Sequence, residues 1–195
     1  MSEVLAGIDQ VTSYQDDLLI MTCEKNEHDK VLEEVLGRLK SAGLKINHKK
    51  SEFFTERVEY LGHIFDADGV HPNQNKVRAI LDAKAPTCKK EVQSLVGLCT
   101  YYMRYVKNCS TLFAPLYDLL NKDAKFCWKN EPQKCLDIIK NLFKTDLVLR
   151  NFDPKLPTVI SVDASPQGIG ACRTQNHEDG WFPTQFCSRK LNRAE

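Results

Sequence analysis

The chain has 195 residues, of which 42% are apolar and 27% charged, and a formal net charge of +1, which is the composition of an ordinary globular protein of one or two domains. Every apolar run falls well short of the roughly 18 residues of a membrane span. Met1-Ser2-Glu3-Val4-Leu5 also lacks the basic start and long apolar stretch of a secretory signal, so an intracellular protein with no membrane partner is expected, in cytoplasm or nucleus. Eight cysteines without a CxxC pair read as free thiols in a reducing compartment, not as a disulfide framework or a zinc site.

The first element is a β-hairpin. Val11-Thr12-Ser13-Tyr14 and Leu18-Leu19-Ile20-Met21 are apolar runs on either side of the polar corner Gln15-Asp16-Asp17. Two adjacent carboxylates on a tight turn concentrate negative charge, and a divalent cation is the natural partner. Mg²⁺ in particular takes one or two carboxylates together with substrate phosphates. An Asp pair in a turn is also common without any ligand. Residues 26–42 follow as a helix, with Val31, Leu32, Val35, Leu36 and Leu39 on one face and Gly43 as its cap. A short strand over 44–47 and a second hairpin from 52–54 and 58–65 complete an α+β layer. In that hairpin Gly62 is expected inside a strand, where a missing side chain marks close approach of another backbone.

Asp66-Ala67-Asp68-Gly69 is a turn. Beyond it the pattern gives a helix containing Val77, Ile80 and Leu81, a break at Pro86-Thr87, and a long helix over 88–106. A further helix spans 111–120, with Pro115 near its first turn. Residues 124–130 connect to a helix over 131–144, with Cys135, Ile138, Ile139 and Leu142 facing inward. Strands at 158–162, 168–174 and 181–188 open a new antiparallel sheet. Charge divides unevenly along the chain. Residues 1–72 hold 8 Lys+Arg and 14 Asp+Glu (−6), residues 73–129 hold 10 and 4 (+6), and residues 130–195 hold 9 and 8 (+1). A basic segment beside an acidic one suits a phosphate-tracking surface next to a metal site, and equally a normally solvated pair of helices.

Seven motifs occur in order: Tyr14-Gln15-Asp16-Asp17, Leu44-Lys45-Ile46-Asn47, Tyr60-Leu61-Gly62-His63, Gly97-Leu98-Cys99-Thr100-Tyr101-Tyr102, Ala114-Pro115-Leu116, Phe126-Cys127-Trp128, and Asp163-Ala164-Ser165 with Gly168-Ile169-Gly170. In that order and spacing the chain resembles the reverse transcriptase–RNase H segment of gypsy-type LTR-retrotransposon polyproteins, from about Val4 to Glu195. The resemblance implies four regions: the C-terminal half of a polymerase palm (1–65), helices of the thumb (66–123), a connecting helix (124–156) and the opening of an RNase H-like domain (157–195).

The resemblance also implies roles. Asp16 is the metal ligand proper and Asp17 a weaker ligand, with Mg²⁺ as the metal. Tyr14 packs beneath this site or touches the primer backbone. Gly62 and His63 belong to a primer-gripping element, and Arg104 and Lys107, with Lys89 and Lys90, contact phosphates. Asp163 is the first acidic ligand of RNase H. The implied activity is RNA-directed DNA polymerisation with cleavage of RNA in hybrids, and the implied partners are a primer–template and deoxynucleotides. The family's third polymerase carboxylate lies on a strand well upstream of the hairpin, and Asp9, the only aspartate before Asp16 here, is too near to come from that strand. The isolated chain is therefore expected to be inactive. The alternative is a non-catalytic nucleic-acid-binding remnant that uses the basic thumb.

Departures from the family pattern occur at Lys107, where Pro is usual, at Cys109, where an aromatic is usual, and at Cys172-Arg173, which replaces a more apolar pair. An unpaired buried Arg costs several kcal/mol, so Arg173 in the second strand points to relaxed selection or to an edge position. The third strand of the new sheet should have an open edge. Ile160, Val162 and Phe186 should lack cover, inviting self-association.

Overall fold

The structure, a computed structural model, describes residues 1–145, 147–166 and 168–191. It divides into two compact units, residues 1–55 and 56–195. Mixed helices and antiparallel sheets make it α+β. Among the described residues no helix is long and apolar enough to cross a membrane.

In the first unit β1 (Val11–Tyr14) pairs with β2 (Asp17–Ile20), with Tyr14 opposite Asp17, and α1 (Lys25–Ser41) follows. The α1 stripe Val31, Val35 and Leu39 is buried with Leu5 and Ile8, and Val4, Val11, Leu18 and Ile20 pack around it. Each such side chain contributes roughly 1.5–3 kcal/mol on burial. The helix ends on Gly43, at φ +72°. Gly43 N–H donates to Lys40 O and Leu44 N–H to Leu39 O, the paired bonds of a Schellman cap.

Two expected strands in this unit do not form. Residues 44–47 have no ladder partner among the described residues, and Leu44 and Ile46 remain exposed. Residues 52–54 are irregular because Phe54 takes φ +55°, which no strand accommodates.

The second unit opens with a three-stranded meander: β3 (Val58–Tyr60), β4 (His63–Phe65) and β5 (Val70–Pro72). Helices α2 (Gln74–Leu81), α3 (Lys89–Thr100), α4 (Cys109–Leu112), α5 (Ala114–Leu120) and α6 (Asn130–Phe143) follow, with a 3₁₀ turn at Met103–Tyr105. Asn73 caps α2, its side chain accepting from the amides of Asn75 and Lys76. The core between these helices holds Ile80, Val92, Cys99, Tyr102, Phe113, Leu116, Leu136 and Ile139. All eight cysteines are free thiols, and burial pushes Cys99, Cys109 and Cys135 up to about 12, making them inert packing residues.

Two helices differ from expectation. The one expected over 88–106 stops at Thr100, where the tyrosines leave the helical path. The one expected over 111–120 is two, because Pro115 has no N–H to donate to Thr111 and its ring would clash with that carbonyl.

The C-terminal sheet runs β6 (Thr158–Ser165), β7 (Gly168–His177), β8 (Gly180–Lys190), all antiparallel and longer than the pattern implied. Strand β8 lies against α4 and the 3₁₀ turn. Ser110 N–H donates to Ser188 Oγ at 2.9 Å, and Lys190 pairs with Asp118 at 2.7 Å. Phe186 accordingly packs on the helical core, contrary to expectation, whereas Ile160 and Val162 are 66% and 67% exposed. The strand exposed along its whole length is β6, not β8.

Arg173 is not at an edge. It sits in the central strand, its Nε donating to Thr184 Oγ1 at 2.8 Å and its guanidinium lying 4.3 Å from the Phe152 ring centroid. Those contacts supply the partners a half-buried charge needs.

A short segment joins meander to sheet. Val70 and Leu149 exchange both backbone bonds, at 2.7 and 3.0 Å, and Arg150 N–H donates to Pro183 O at 3.0 Å. Gly69 permits this approach, since a Cβ there would stand 2.2 Å from the Leu149 oxygen.

Candidate nucleic-acid interface

The acidic hairpin is closed by two residues, Gln15 and Asp16, with Tyr14 opposite Asp17. Gln15 alone takes positive φ, +53°, the pattern of a type II′ turn, whose first central position favours Gly. A non-glycine residue there costs on the order of 1 kcal/mol and marks strain of the kind found at ligand sites. Asp16 and Asp17 are both exposed at the tip. Their hard oxygen donors suit Mg²⁺, with water and phosphate supplying the remaining ligands. Tyr14 is 55% exposed, so it does not pack beneath the acids as one reading required.

A second strained turn lies at Leu61-Gly62, between Tyr60 and His63. Both central residues have positive φ, +48° and +71°, the signature of a type I′ turn. Gly62 is thus a turn residue and not part of a strand interior, and its glycine is needed for φ. Three tyrosines in the segment that follows α3 hold this turn. Tyr101 OH donates to Leu61 O, Tyr102 OH donates to Gly62 O at 3.0 Å, and Tyr105 OH meets His63 Nδ1 at 2.7 Å.

The His63 ring stacks on Tyr101, centroids 5.0 Å apart and planes 11° from parallel, with Tyr102 edge-on at 5.8 Å. Burial lowers the His63 pKa from its ordinary 6.5 to about 4, and the nearby Arg104 guanidinium adds to the effect. His63 is therefore neutral at pH 7 and offers phosphate no charge. Tyr102 and Tyr105 are buried, and Tyr101 is 48% exposed beyond its stacked face.

The candidate phosphate contacts separate into two kinds. Lys90 and Lys107 are exposed near opposite ends of α3. Lys89 Nζ donates to Asn121 O at 2.7 Å, satisfying a carbonyl at the end of α5. Arg104 is half-buried beside His63, and its buried Nε has no hydrogen-bond partner among the described residues.

Asp163 lies on exposed β6 opposite Gly170. Among the described residues no three His, Cys, Asp or Glu side chains converge as a metal site. Gly168 and Gly170 face the start of α4. A Cβ on Gly168 would lie 2.7 Å from Ser110 Oγ, and one on Gly170 3.3 Å from Asn108 Oδ1.

Family models match both ends of the chain. Residues 1–65 match reverse transcriptase (RNA-dependent DNA polymerase), and residues 128–195 match the RNase H-like domain found in reverse transcriptase. The Tf2-3 and Tf2-7 transposon polyproteins of Schizosaccharomyces pombe are each 32% identical over 186 residues, 95% of this chain. The chain belongs to the reverse transcriptase–RNase H region of retrotransposon polyproteins. It spans 14% of the length of those two relatives.

Solved retroviral relatives share the fold of this reverse transcriptase segment. A foamy viral protease-reverse transcriptase in complex with double-stranded DNA superposes with a TM-score of 0.84 at 26% identity, covering 100% of this chain and 34% of that one. The foamy viral enzyme in complex with RNA/DNA hybrid gives 0.81 at 27% identity, covering 98% and 26%.

The roles implied for Asp16, Asp17, Gly62 and His63 came from the family motifs. The roles of Tyr102 and Tyr105 did not. Their only sequence signal is a tyrosine pair and a third tyrosine at the end of a helix, forty residues and more from a glycine turn.

Proposed function

We propose that this reverse transcriptase segment contributes the metal-binding hairpin, the primer-gripping turn and the thumb of an RNA-directed DNA polymerase, together with the first strands of its RNase H-like domain. On this reading residues 1–65 are palm, 66–123 thumb, 124–156 connection and 157–195 RNase H-like. The observation that carries it is the acidic hairpin, a strained two-residue turn exposing Asp16 and Asp17 side by side. Asp16, assisted by Asp17, would hold Mg²⁺, and Asp163 would serve as one ligand of the RNase H metal. A bound Mg²⁺ neutralises charge on phosphoryl oxygens and orients them.

The neighbours' own partners, double-stranded DNA and RNA/DNA hybrid, support a primer–template as the ligand here. Deoxynucleotides follow from the same activity. Two acids are too few for a two-metal clamp, and no third converges on them among the described residues. The 195-residue chain by itself therefore binds duplex weakly and extends no primer. A purely basic binding module is less well supported, because Lys89 is committed to a helix end.

The test is a Mg²⁺ titration followed through the backbone amides of residues 14–17. Saturable shifts in the wild type that vanish in Asp16→Asn support the reading. Unchanged shifts in both proteins, or primer extension that survives Asp16→Asn, overturn it.

A further inference from the structure

We propose that Tyr101 and Tyr102 are positioning residues: their hydroxyls hold the Leu61-Gly62 turn in its left-handed form, so that its placement against a nucleic-acid backbone is set by the end of α3. The inference rests on the reading of that turn as a primer contact. It goes further by assigning the turn's geometry to two side chains forty residues away.

Strands β3 and β4 are three residues each, so few ladder bonds flank the turn. Leu61 at φ +48° resists the conformation it occupies. External restraint is correspondingly dense. Tyr101 OH binds Leu61 O, and Tyr102 OH binds Gly62 O, which also accepts from Asn73 N–H at 3.2 Å. The Tyr101 ring covers Gly62, where a Cβ would meet it at 3.4 Å, and stacks on His63. Tyr105 fixes the far side of the His63 ring. Consecutive carbonyls held by consecutive tyrosines leave the turn little freedom to pivot about β3 and β4.

Because the two tyrosines directly follow the last residue of α3, a shift of its end moves the turn with it. Asn73 N–H anchors the turn independently. It sets the alternative, that meander and α2 suffice and the two hydroxyls are incidental.

The experiment uses the full 195-residue chain with Tyr101→Phe, Tyr102→Phe and both together, each removing only a hydroxyl. Amide exchange is followed across residues 58–65 and across α5 and α6. Binding of a fluorescein-labelled RNA/DNA primer–template is read by anisotropy at one salt concentration. In the double variant, exchange at residues 61–65 should quicken about tenfold with α5 and α6 unchanged. The duplex Kd should rise about fivefold, as expected for losing one to two hydrogen bonds' worth of order. Adding Leu61→Asn, which makes the Asn-Gly pair favoured in type I′ turns, should restore both readings.

Exchange that quickens equally everywhere reports a merely structural role and overturns the proposal. So does an unchanged Kd with a loosened turn. A wild-type chain that binds no duplex overturns the functional reading instead, and local exchange then still decides whether the tyrosines hold the turn. Should the double variant fail to fold, the single variants carry the same comparison.

Discussion

The imidazole of His63 and the phenol of Tyr105 meet at 2.7 Å inside the second unit, with Tyr101 stacked on one face of the imidazole. The bond joins the meander to the 3₁₀ turn after α3. It also orients a histidine whose family motif implied a place in a primer-gripping element.

The first prediction concerns acid stability. The folded-state pKa of His63, about 4, lies below its ordinary 6.5. Between those values the unfolded chain binds more protons, so stability falls as pH drops from 6.5 to 4 and is unaffected by His63 above 6.5. The full loss is roughly 3 kcal/mol. Asp66 acts at lower pH. Burial raises its pKa, but bonds from His71, Gly69 and Asp68 outweigh this and hold it below the ordinary value, so its contribution is lost only under stronger acid. Urea unfolding of the wild type and His63→Asn at steps from pH 7 to 4 checks this. The wild-type slope between 6.5 and 4 should flatten in the variant.

The second prediction concerns Gly69. A Cβ at this residue would lie 2.2 Å from a backbone oxygen that cannot move without breaking the Val70–Leu149 pair. The glycine also sits at φ +143°. Gly69→Ala should cost about 2–4 kcal/mol, combining strain with loss of two backbone bonds. Gly97→Ala, with open space around the new Cβ in α3, is the control and should be neutral or stabilising. Equal melting temperatures for the two variants would count against this account of the 69–149 contact.

Local patterning revealed most elements but not the corners. Helical spacing located α1 and α6 to within two residues, because Val31, Val35 and Leu39, and likewise Cys135 and Ile139, bury one face each. It overran α3, since nothing local to residues 101–105 says that the tyrosine hydroxyls find carbonyls at Leu61 and Gly62. It placed Gly62 in a strand for the same reason: a turn between three-residue strands has almost no apolar alternation to reveal it. The strand wrongly expected at 44–47 shows the converse, alternation without a partner. The exposed acidic turn was legible because its residues are local to one hairpin. The state of His63 was not, because it depends on burial and on Arg104.

The third prediction separates the basic residues. Replacing exposed Lys90 and Lys107 by Ala should lower the salt slope of duplex binding, by up to about 0.9 for each phosphate that is no longer neutralised. Lys89→Ala should leave that slope unchanged. It should instead lower stability by roughly 0.5–1.5 kcal/mol, since Lys89 Nζ satisfies Asn121 O at the end of α5. Gel shifts at two salt concentrations, with thermal melts of the same proteins, distinguish the outcomes. A slope that falls for Lys89→Ala but not for Lys90 and Lys107 would relocate the phosphate-binding surface.

The last prediction concerns β6. Every residue of this strand is exposed, and Val159, Ile160 and Val162 are 45%, 66% and 67% accessible. Among the described residues the strand pairs with β7 on one side only. A long edge strand with apolar side chains is a template for pairing with another chain. Strand β8 differs: it is also at a sheet edge, but α4 and the 3₁₀ turn pack on it, Ser110 bonds to Ser188, and Lys190 pairs with Asp118. Opening β8 therefore breaks contacts with the helical core, whereas opening β6 breaks its ladder with β7 and side-chain bonds such as Gln175 Nε2 to Thr158 Oγ1. Under dilute conditions amides of Thr158–Ser165 should exchange faster than those of Gly180–Lys190. At higher concentration the chain should self-associate. Ile160→Lys with Val162→Lys should suppress that association without lowering the melting temperature, since neither side chain is buried. Sedimentation velocity across a concentration series decides the matter. A wild-type chain that stays monomeric throughout, or a double variant that associates equally well, would show that β6 is not the adhesive edge.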